Sequence, residues 1–231
     1  MSVSEQLLEI FKHGVSSVQP NNILDNFIKV KSKKIIVTEG SKQKIYSKIN
    51  RVFPICIGKA SVDMAKKIKK IFKVSNFKIE KGILIVNKEN FSKVKGFKCF
   101  SSGHPIPNRN GLDASIFLEN YLGKLEKNDL VLIFISGGGS ALAPYPVDGI
   151  SLEEKIIINK ILLESGANIK EINIVRKHLS KLKGGNLVKI CNPAYVHSFI
   201  LSDVIGDDLS SIASGMTTYD NSTFKDCLLY T

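Results

Sequence analysis

Short apolar runs alternate with amphipathic segments along most of this chain, and that alternation restricts its fold more than any other feature. The runs cover residues 52–57, 83–86, 130–135 and 199–201. Strands that are apolar along their whole length need a cover on both faces, which parallel sheets obtain from the helices that connect their strands. The pattern therefore predicts an α/β fold, an α/β/α sandwich with a mostly parallel sheet.

The segments between the runs predict the helices. The pattern Ser2-x-x-Glu5 is typical of a capping box, and apolar residues recur behind it at helical spacing as far as Val18. A second short helix is predicted after Pro20, and residues 34–38 are predicted to form a strand. Apolar stripes predict further helices near residues 65–72, 114–125, 152–163 and 169–182, the last ended by the pair Gly184-Gly185.

Composition narrows the classes of function. The net charge is +12, but the lysines occur throughout the chain, and aromatic residues do not alternate with them as they do where single-stranded nucleic acid binds. We therefore expect neither nucleic acid nor a membrane as a partner, and interpret the charge as solvated lysines plus a positive cleft that faces the substrate. No apolar stretch approaches the roughly 18 residues of a membrane helix, so the expected location is cytoplasmic. The cysteines form no C-x-x-C pair, which argues against a zinc site.

Three of the apolar runs lead directly into loops of small and charged residues. These loops cover residues 58–61, 136–140 and 202–208. Ligands of open parallel sheets bind at the carboxyl ends of the strands. The three loops are therefore predicted to converge on one site.

The second of these loops carries three consecutive glycines, Gly137, Gly138 and Gly139, between Ser136 and Ser140. Glycine lets backbone N–H groups approach an anion closely, and a helix that starts just beyond would add the positive end of its dipole. By itself, such a loop is equally well interpreted as a flexible turn between a strand and a helix.

Charged residues on the neighbouring loops favour the anion site. Lys59 offers a cation, and Asp203, Asp207 and Asp208 offer the hard oxygen ligands that Mg²⁺ prefers. An anion-binding backbone, a lysine and a carboxylate cluster are the parts of a phosphoryl-transfer site. The residues therefore favour phosphoryl transfer over a structural turn.

The same loop also supplies the first two glycines of the dinucleotide fingerprint G-x-G-x-x-G/A. Its third small position is occupied by Leu142, and Pro144 and Pro146 stand where the helix of the fingerprint should continue. A nicotinamide cofactor is therefore disfavoured. The P-loop pattern G-x-x-x-x-G-K-[ST] does not occur in the sequence, so a kinase of this type must hold ATP in another way.

Two further groups of residues are candidates for the site. His104 lies in a loop rich in glycine and proline, residues 101–108, and is a candidate general base or hydrogen-bond donor to the substrate. The alternative is a structural or solvated histidine. Asn173 and Arg176 share a face of the last predicted helix, and Lys183 is placed near that face, where a solvated charged surface is the alternative.

At these motifs the sequence resembles the glycerate 2-kinase family, whose members were often named hydroxypyruvate reductases. The stretches that carry the resemblance occur in the order of the family and cover most of the chain beyond Arg51. They are IGKAS (57–61), SSGHPIPNRNG (101–111), ISGGGSAL (135–142), LLESGANIKEINIVRKHLSKLKGGNL (162–187) and LSDVIGDDLSSIASGMT (201–217).

The resemblance implies a two-domain enzyme with a Rossmann-like N-terminal domain and an active site in the cleft between its domains. It implies transfer of the γ-phosphate of ATP to the 2-hydroxyl of D-glycerate with Mg²⁺, and a homodimer is a candidate assembly. Lys59 matches the active-site lysine of the family, and Asp203 matches an acidic residue of the cleft. We assign catalysis to Lys59, Asp203 and Asp207, metal binding to Asp207 and Asp208, and substrate or phosphate binding to loop 136–140, His104, Asn173, Arg176 and Lys183.

On the same resemblance, residues 1–226 are expected to form the N-terminal domain, and the C-terminal domain of the family is expected to be absent, so that this chain alone is inactive. Residues 227–231 read CLLYT, which one frame of a common transposase-adapter sequence encodes, and are interpreted as a sequencing artefact. Two alternative functions stay open. One is an NAD(P)H-dependent hydroxypyruvate reductase, and the other is a non-catalytic module that binds a sugar acid or a nucleotide.

Overall fold

A computed structural model describes residues 2–73 and 75–228, and the strands in this part of the chain form two sheets. The strands are β1 (Ile28–Lys31), β2 (Lys34–Glu39), β3 (Lys42–Tyr46), β4 (Arg51–Ile57), β5 (Lys78–Ile79), β6 (Gly82–Asn87), β7 (Phe97–Ser102), β8 (Leu130–Ile135) and β9 (Tyr195–Ile200). The helices are α1 (Val3–Ser17), α2 (Pro20–Phe27), α3 (Ser61–Phe72), α4 (Arg109–Leu122), α5 (Gly139–Leu142), α6 (Leu152–Glu164), α7 (Ile169–His178), α8 (Asn186–Ile190), α9 (Phe224–Cys227) and a 3-10 helix (Ile212–Ser214). None of these helices is both long enough and apolar enough to cross a membrane.

The larger sheet has the strand order β7-β6-β4-β8-β9, and the short β5 pairs with the first residues of β4. Every pairing in this sheet is parallel. Ile57 of β4 pairs with Ile85 of β6 and with Ile135 of β8, and Ile135 pairs with Ile200 of β9. The predicted α/β fold with a parallel sheet is confirmed, and β4, β8 and β9 end at a common edge.

Alternate residues of the central strands divide between two apolar cores. In β4, Phe53, Ile55 and Ile57 pack into the core that contains α4, whereas Val52 and Cys56 pack into the core that contains α3. All five side chains are buried. Because side chains alternate across a strand, the apolar residues 52–57 of β4 contribute side chains to the cores on both faces of the sheet. The sheet therefore forms the middle layer of the predicted sandwich.

A second, three-stranded antiparallel sheet contains β1, β2 and β3. The sequence predicts only its middle strand. Ile35 and Val37 of β2 are fully buried and join the α3 core, whereas β3 is exposed up to Tyr46. Short, lysine-rich strands with one apolar face contain no continuous apolar run, so the pattern that locates the parallel strands misses β1 and β3.

Two predicted boundaries are wrong. The helix predicted over residues 169–182 ends at His178, and the pair Gly184-Gly185 instead precedes α8, where Gly185 is the N-cap with a φ of 78°. The last strand begins at Tyr195 rather than at residue 199. Residues 229–231, which belong to the segment interpreted as an artefact, lie outside the described residues.

A buried ion pair joins the amino ends of three strands. The side chain of Asp129 is fully buried and accepts hydrogen bonds from Nε and Nη2 of Arg51, the first residue of β4, at 3.0 and 2.6 Å. The carbonyl of Asp129 accepts a hydrogen bond of 2.9 Å from the amide of Tyr195, the first residue of β9. Because Asp129 directly precedes β8, this pair fixes the edge of the sheet opposite the edge where these strands end.

Replacing Asp129 by Asn is expected to lower the free energy of unfolding by about 2 kcal/mol, because the buried carboxylate loses its charge-assisted hydrogen bonds from Arg51, although Arg51 keeps Glu126 as a second partner at 3.4 Å. Urea denaturation measures the change. The control is Asp113→Asn, which breaks the exposed pair between Arg109 and Asp113 at 2.9 Å and should cost less than about 0.5 kcal/mol. Equal losses in the two variants would show that the Asp129 pair does not hold the strands.

Candidate functional site

The loops that follow β4 and β8 are joined at the carboxyl edge of the large sheet. The amide of Lys59 donates to the carbonyl of Gly137 at 3.0 Å, and the amide of Ala60 donates to Oγ of Ser136 at 3.0 Å. Gly58 has a φ of 127°, and a Cβ added there would lie 2.6 Å from the carbonyl oxygen of Ser136. The close approach of the two loops therefore requires glycine at position 58.

Each of the three consecutive glycines packs against a different segment of the chain. A Cβ at Gly137 would collide with the carboxylate of Asp203, and one at Gly139 would lie 2.8 Å from Cβ of Ala213. A Cβ at Gly138, whose φ is 85°, would lie 3.0 Å from Cδ2 of His104 and 3.1 Å from Cε of Lys59. The predicted convergence of the three loops is confirmed, since Lys59 and Asp203 lie against the consecutive glycines of loop 136–140. His104 lies against the same glycines.

A short helix begins at Gly139, within this loop. The helix α5 has four residues and ends at Leu142, before the first of the prolines. Leu142 is fully buried in the core that contains α4. A dinucleotide-binding fold has a small residue at the position of Leu142 and a long helix after the glycine loop. This chain has a buried leucine and a four-residue helix there.

The segment around Ala213 and Ser214 forms a second wall of the loop. Both residues have positive φ, 50° and 54°, a conformation that costs non-glycine residues roughly 1–2 kcal/mol each. The hydroxyl of Ser214 lies 2.6 Å from Oγ of Ser140 and donates to Oδ1 of Asn173 at 3.1 Å. Within the described residues, the buried Nδ2 of Asn173 has no hydrogen-bond partner. The position of Ala213 and Ser214 beside the glycine loop was not predicted, because a run of small residues is their only signal in the sequence.

Three basic side chains converge beside the glycine loop. Lys183 is 1% exposed, and its Nζ donates to the carbonyl of Ser140 at 3.0 Å. Lys155 of α6 is 3% exposed and donates to the carbonyl of Leu179 at 2.8 Å. Nε of Arg176 donates to Oδ1 of Asn159 at 2.9 Å. All three cations bind neutral oxygen atoms.

Burial lowers the pKa values of these three cations, and neighbouring positive charges add to the effect for the two lysines. Burial, reinforced by the charges of Lys155 and Arg176, holds the pKa of Lys183 well below its ordinary value. Burial and the charge of Arg176 lower the pKa of Lys155 to about 8. Burial also lowers the pKa of Arg176. A negative charge placed among them would reverse these shifts, because it favours the protonated forms.

A cavity of about 470 Å³ opens over the three cations. One side is the loop from His104 to Pro107, and the opposite side is formed by α6 and α7. His104, Gly138, Ser140, Arg176 and Lys183 line it, so it contains five of the residues predicted for binding.

Two of the predicted binding residues are placed differently from the prediction. Lys183 does not share the face of α7 with Asn173 and Arg176, because the helix ends at His178, yet it reaches the same cavity as Arg176. Asn173 does not line the cavity but contacts Ser214 behind it. Lys155 was missed, because it directly follows Glu153 and Glu154 near the start of a helix whose sequence shows no distinct polar face, and so resembles a solvated lysine.

The three aspartates after β9 differ in their contacts. Asp208 accepts hydrogen bonds from the hydroxyls of Ser211 and Ser210, at 2.6 and 3.0 Å, and these lower its pKa. Among the described residues, no hydrogen-bond donor contacts the exposed carboxylates of Asp203 and Asp207, and no three His, Cys, Asp or Glu residues are grouped to hold a metal ion. Mg²⁺ needs only one or two carboxylates when substrate phosphates supply further ligands, and the exposed carboxylate of Asp207 fits that role, whereas that of Asp208 is held by the two serines. The catalytic and metal roles of all three aspartates stay predictions.

The parallel sheet, the glycine loop at its carboxyl edge and the buried cations beside that loop define an α/β protein with a candidate site for an anionic small molecule. The chain belongs to the family described as domain of unknown function DUF4147, whose model matches residues 6–230.

Proteins similar to this chain carry glycerate kinase names. The chain is 39% identical over 226 residues to Glycerate 2-kinase of Pyrococcus horikoshii, a match that covers 98% of this chain and 49% of that protein. A crystal structure of a P. horikoshii protein matches with a TM-score of 0.88 and 37% identity over 100% of this chain and 51% of that one. For glycerate kinase of Thermotoga maritima the TM-score is 0.82, with 34% identity, over 98% and 50% of the chains. The chain thus spans about half the length of the curated relatives it matches, and the resemblance noted in the sequence is confirmed.

The pKa of His104 is expected to rise when the charge of Lys59 is removed. Burial first, and then the positive charge of Lys59, hold the pKa of His104 below its ordinary value, against an opposing effect of Glu89. In Lys59→Met the second cause disappears while Gly138 still bounds the ring. An NMR titration of the His104 ring protons measures the shift, with Lys66→Met, at an exposed position of α3, as the control. An unchanged pKa in Lys59→Met would mean that the two side chains do not interact.

Proposed function

We propose that this chain contributes the strand-end loops of the active site of an ATP-dependent kinase that phosphorylates the 2-hydroxyl of D-glycerate. The observation that carries the proposal is the packing of Lys59, His104 and Asp203 around the glycine loop. Phosphoryl transfer depends on positioning and on stabilisation of negative charge. This arrangement offers a cation, a carboxylate and backbone that an anion can approach, and the names of the relatives support the choice of substrate.

The proposed roles follow from the chemistry of each group. The ammonium of Lys59 neutralises an oxygen of the transferred phosphoryl group or of the glycerate carboxylate. Asp203 accepts the proton of the 2-hydroxyl while that oxygen bonds to the γ-phosphorus and the bond from this phosphorus to the bridging oxygen of ADP breaks. Asp207, with the substrate phosphates, would hold Mg²⁺, which when bound supplies Lewis-acid stabilisation of the phosphate charge.

The alternative functions receive less support. A nicotinamide-dependent reductase needs a long helix after the glycine loop, whereas α5 has four residues. A non-catalytic binding module predicts tight ligand binding by these 231 residues without turnover. Since the resemblance places the active site between two domains, we expect this chain alone to bind its ligands weakly and to be inactive.

Replacing Lys59 by Met in the full-length gene product that contains this chain is expected to lower kcat/KM for D-glycerate by about 100-fold or more, because a cation that stabilises the transition state is lost. The measurement is ADP release that depends on D-glycerate. Lys66→Met is the matched control and should keep normal turnover. Normal turnover in Lys59→Met would overturn the assignment, and NADH oxidation that depends on hydroxypyruvate would support the reductase instead.

Replacing Gly137 by Ala is expected to lower kcat by about 100-fold, because the added methyl group displaces the carboxylate of Asp203 from the loop. The control is Gly123→Ala at the end of α4, where the added Cβ would meet only the carbonyl oxygens of Glu119 and Asn120, at 3.5 and 3.8 Å. Thermal denaturation of both variants separates a local displacement from unfolding. Full activity in Gly137→Ala would show that catalysis does not need Asp203 at this position.

A further inference from the structure

The cavity over Lys155, Arg176 and Lys183 is distinct from the group formed by Lys59 and Asp203, neither of which lines it. The two sites share a border at Gly138 and His104. The proposed transfer reaction has two anionic reactants, and the chain offers two neighbouring groups that contain cations, one in this cavity and one at Lys59.

The buried cations of this cavity have no counter-charge among the described residues. Its charged and titratable lining groups are all basic, namely His104, Lys155, Lys160, Arg176 and Lys183. Within the described residues, Lys160 pairs with Glu164 at 3.7 Å near the surface, and none of the other four side chains has a carboxylate within ion-pair distance. Buried charges are ordinarily paired, because desolvation of an unpaired charge is costly. The lowered pKa values of Lys155 and Lys183 are the response to that cost, and an anionic ligand in the cavity would remove it.

The ammonium groups also have spare hydrogen-bond donors. Each carries three N–H bonds, and in the described part of the chain the recorded acceptors are one carbonyl oxygen for Lys183 and one for Lys155. Both side chains are more than nine-tenths buried and line the cavity floor. The remaining N–H groups of the two lysines can therefore donate hydrogen bonds to several oxygen atoms of one anion.

We propose that this cavity binds the polyphosphate of the nucleotide, with Lys155 as a binding residue beside Arg176 and Lys183. The inference rests on the proposed kinase function and extends it by assigning one of the two reactants to a defined surface of this chain. D-Glycerate is assigned to the neighbouring group formed by Lys59 and Asp203.

The dimensions and the walls of the cavity favour a nucleotide over a three-carbon acid. A volume of about 470 Å³ lies within the range of pockets that enclose larger ligands. Beside the cations, Ile106 of the loop and Leu163 of α6 offer apolar surface, although both side chains are largely exposed. The rings of a nucleobase and a ribose can pack against this apolar surface, whereas D-glycerate has no ring that could do so.

Lys155→Met in the full-length protein is expected to weaken binding of ATP–Mg²⁺ by about 10- to 100-fold, because a charge-assisted hydrogen bond to phosphate is lost. The KM for D-glycerate should stay unchanged. Calorimetry with ATP–Mg²⁺ and with tripolyphosphate, in the absence of D-glycerate, measures the first quantity, and steady-state kinetics measure the second. The matched control is Lys67→Met, which removes another buried lysine, the one paired with Asp25, and should leave nucleotide affinity unchanged.

Two results would overturn the proposal. A normal affinity for ATP–Mg²⁺ with a raised KM for D-glycerate would assign the cavity to the acid, and no change in either quantity would make Lys155 a structural residue. Binding of ATP–Mg²⁺ without phosphorylation of D-glycerate by the unsubstituted protein would instead remove the proposed function and leave this site standing. The two failures are therefore distinguishable.

A measurement on the unsubstituted protein covers the case in which Lys155→Met does not fold. An anion among these cations should raise the pKa of Lys155 from about 8, so that ATP binding at pH 8 takes up protons. Calorimetry in two buffers with different ionisation enthalpies measures that uptake. Binding with no proton uptake would contradict the placement of phosphate at Lys155.

Discussion

The candidate site depends on the absence of side chains at three consecutive positions. Gly137, Gly138 and Gly139 each stand where a methyl group would meet an atom of another segment, and these atoms belong to Asp203, to His104 and Lys59, and to Ala213. The contacts come from four separate stretches of the sequence. Packing in protein interiors leaves few gaps of even one methylene group. These four stretches can therefore contact the loop only if residues 137–139 have no side chains.

The charges of the fold are distributed in opposite ways at its two edges. At the amino edge, the buried carboxylate of Asp129 meets Arg51 with good geometry, and the pair is complete. At the carboxyl edge, Lys155 and Lys183 are equally buried but contact only carbonyl oxygens. A complete pair stabilises the native chain by itself, whereas a group of unpaired cations becomes favourable only with an anion. The buried pair at the amino edge therefore has a structural role, whereas the unpaired lysines beside the carboxyl edge are suited to binding an anion.

Much of this arrangement follows from the sequence, because parallel strands that are apolar on both faces must end at a common edge. That rule brings loops 58–61, 136–140 and 202–208 together without knowledge of any contact. It also places the loop of His104, which follows β7, at this edge, but it does not place Lys183, because α7 ends earlier than its apolar stripe indicates. Lys155 was beyond prediction for a different reason, since a lysine that follows two glutamates near the start of α6 resembles a solvated one until its burial is known. The antiparallel sheet was missed because its strands have only one apolar face.

The division of β4 between two cores also governs how its length can change during evolution. Phe53, Ile55 and Ile57 face one core, and Val52 and Cys56 face the other. Gain or loss of one residue would move every later side chain of the strand to the opposite face, and it would also shift Gly58 relative to Ser136. Exchange of one apolar residue for another of similar volume disturbs neither core greatly. Among descendants of this sequence, the length of β4 should therefore be preserved while its apolar residues drift, and insertions should accumulate in the connections away from the carboxyl edge.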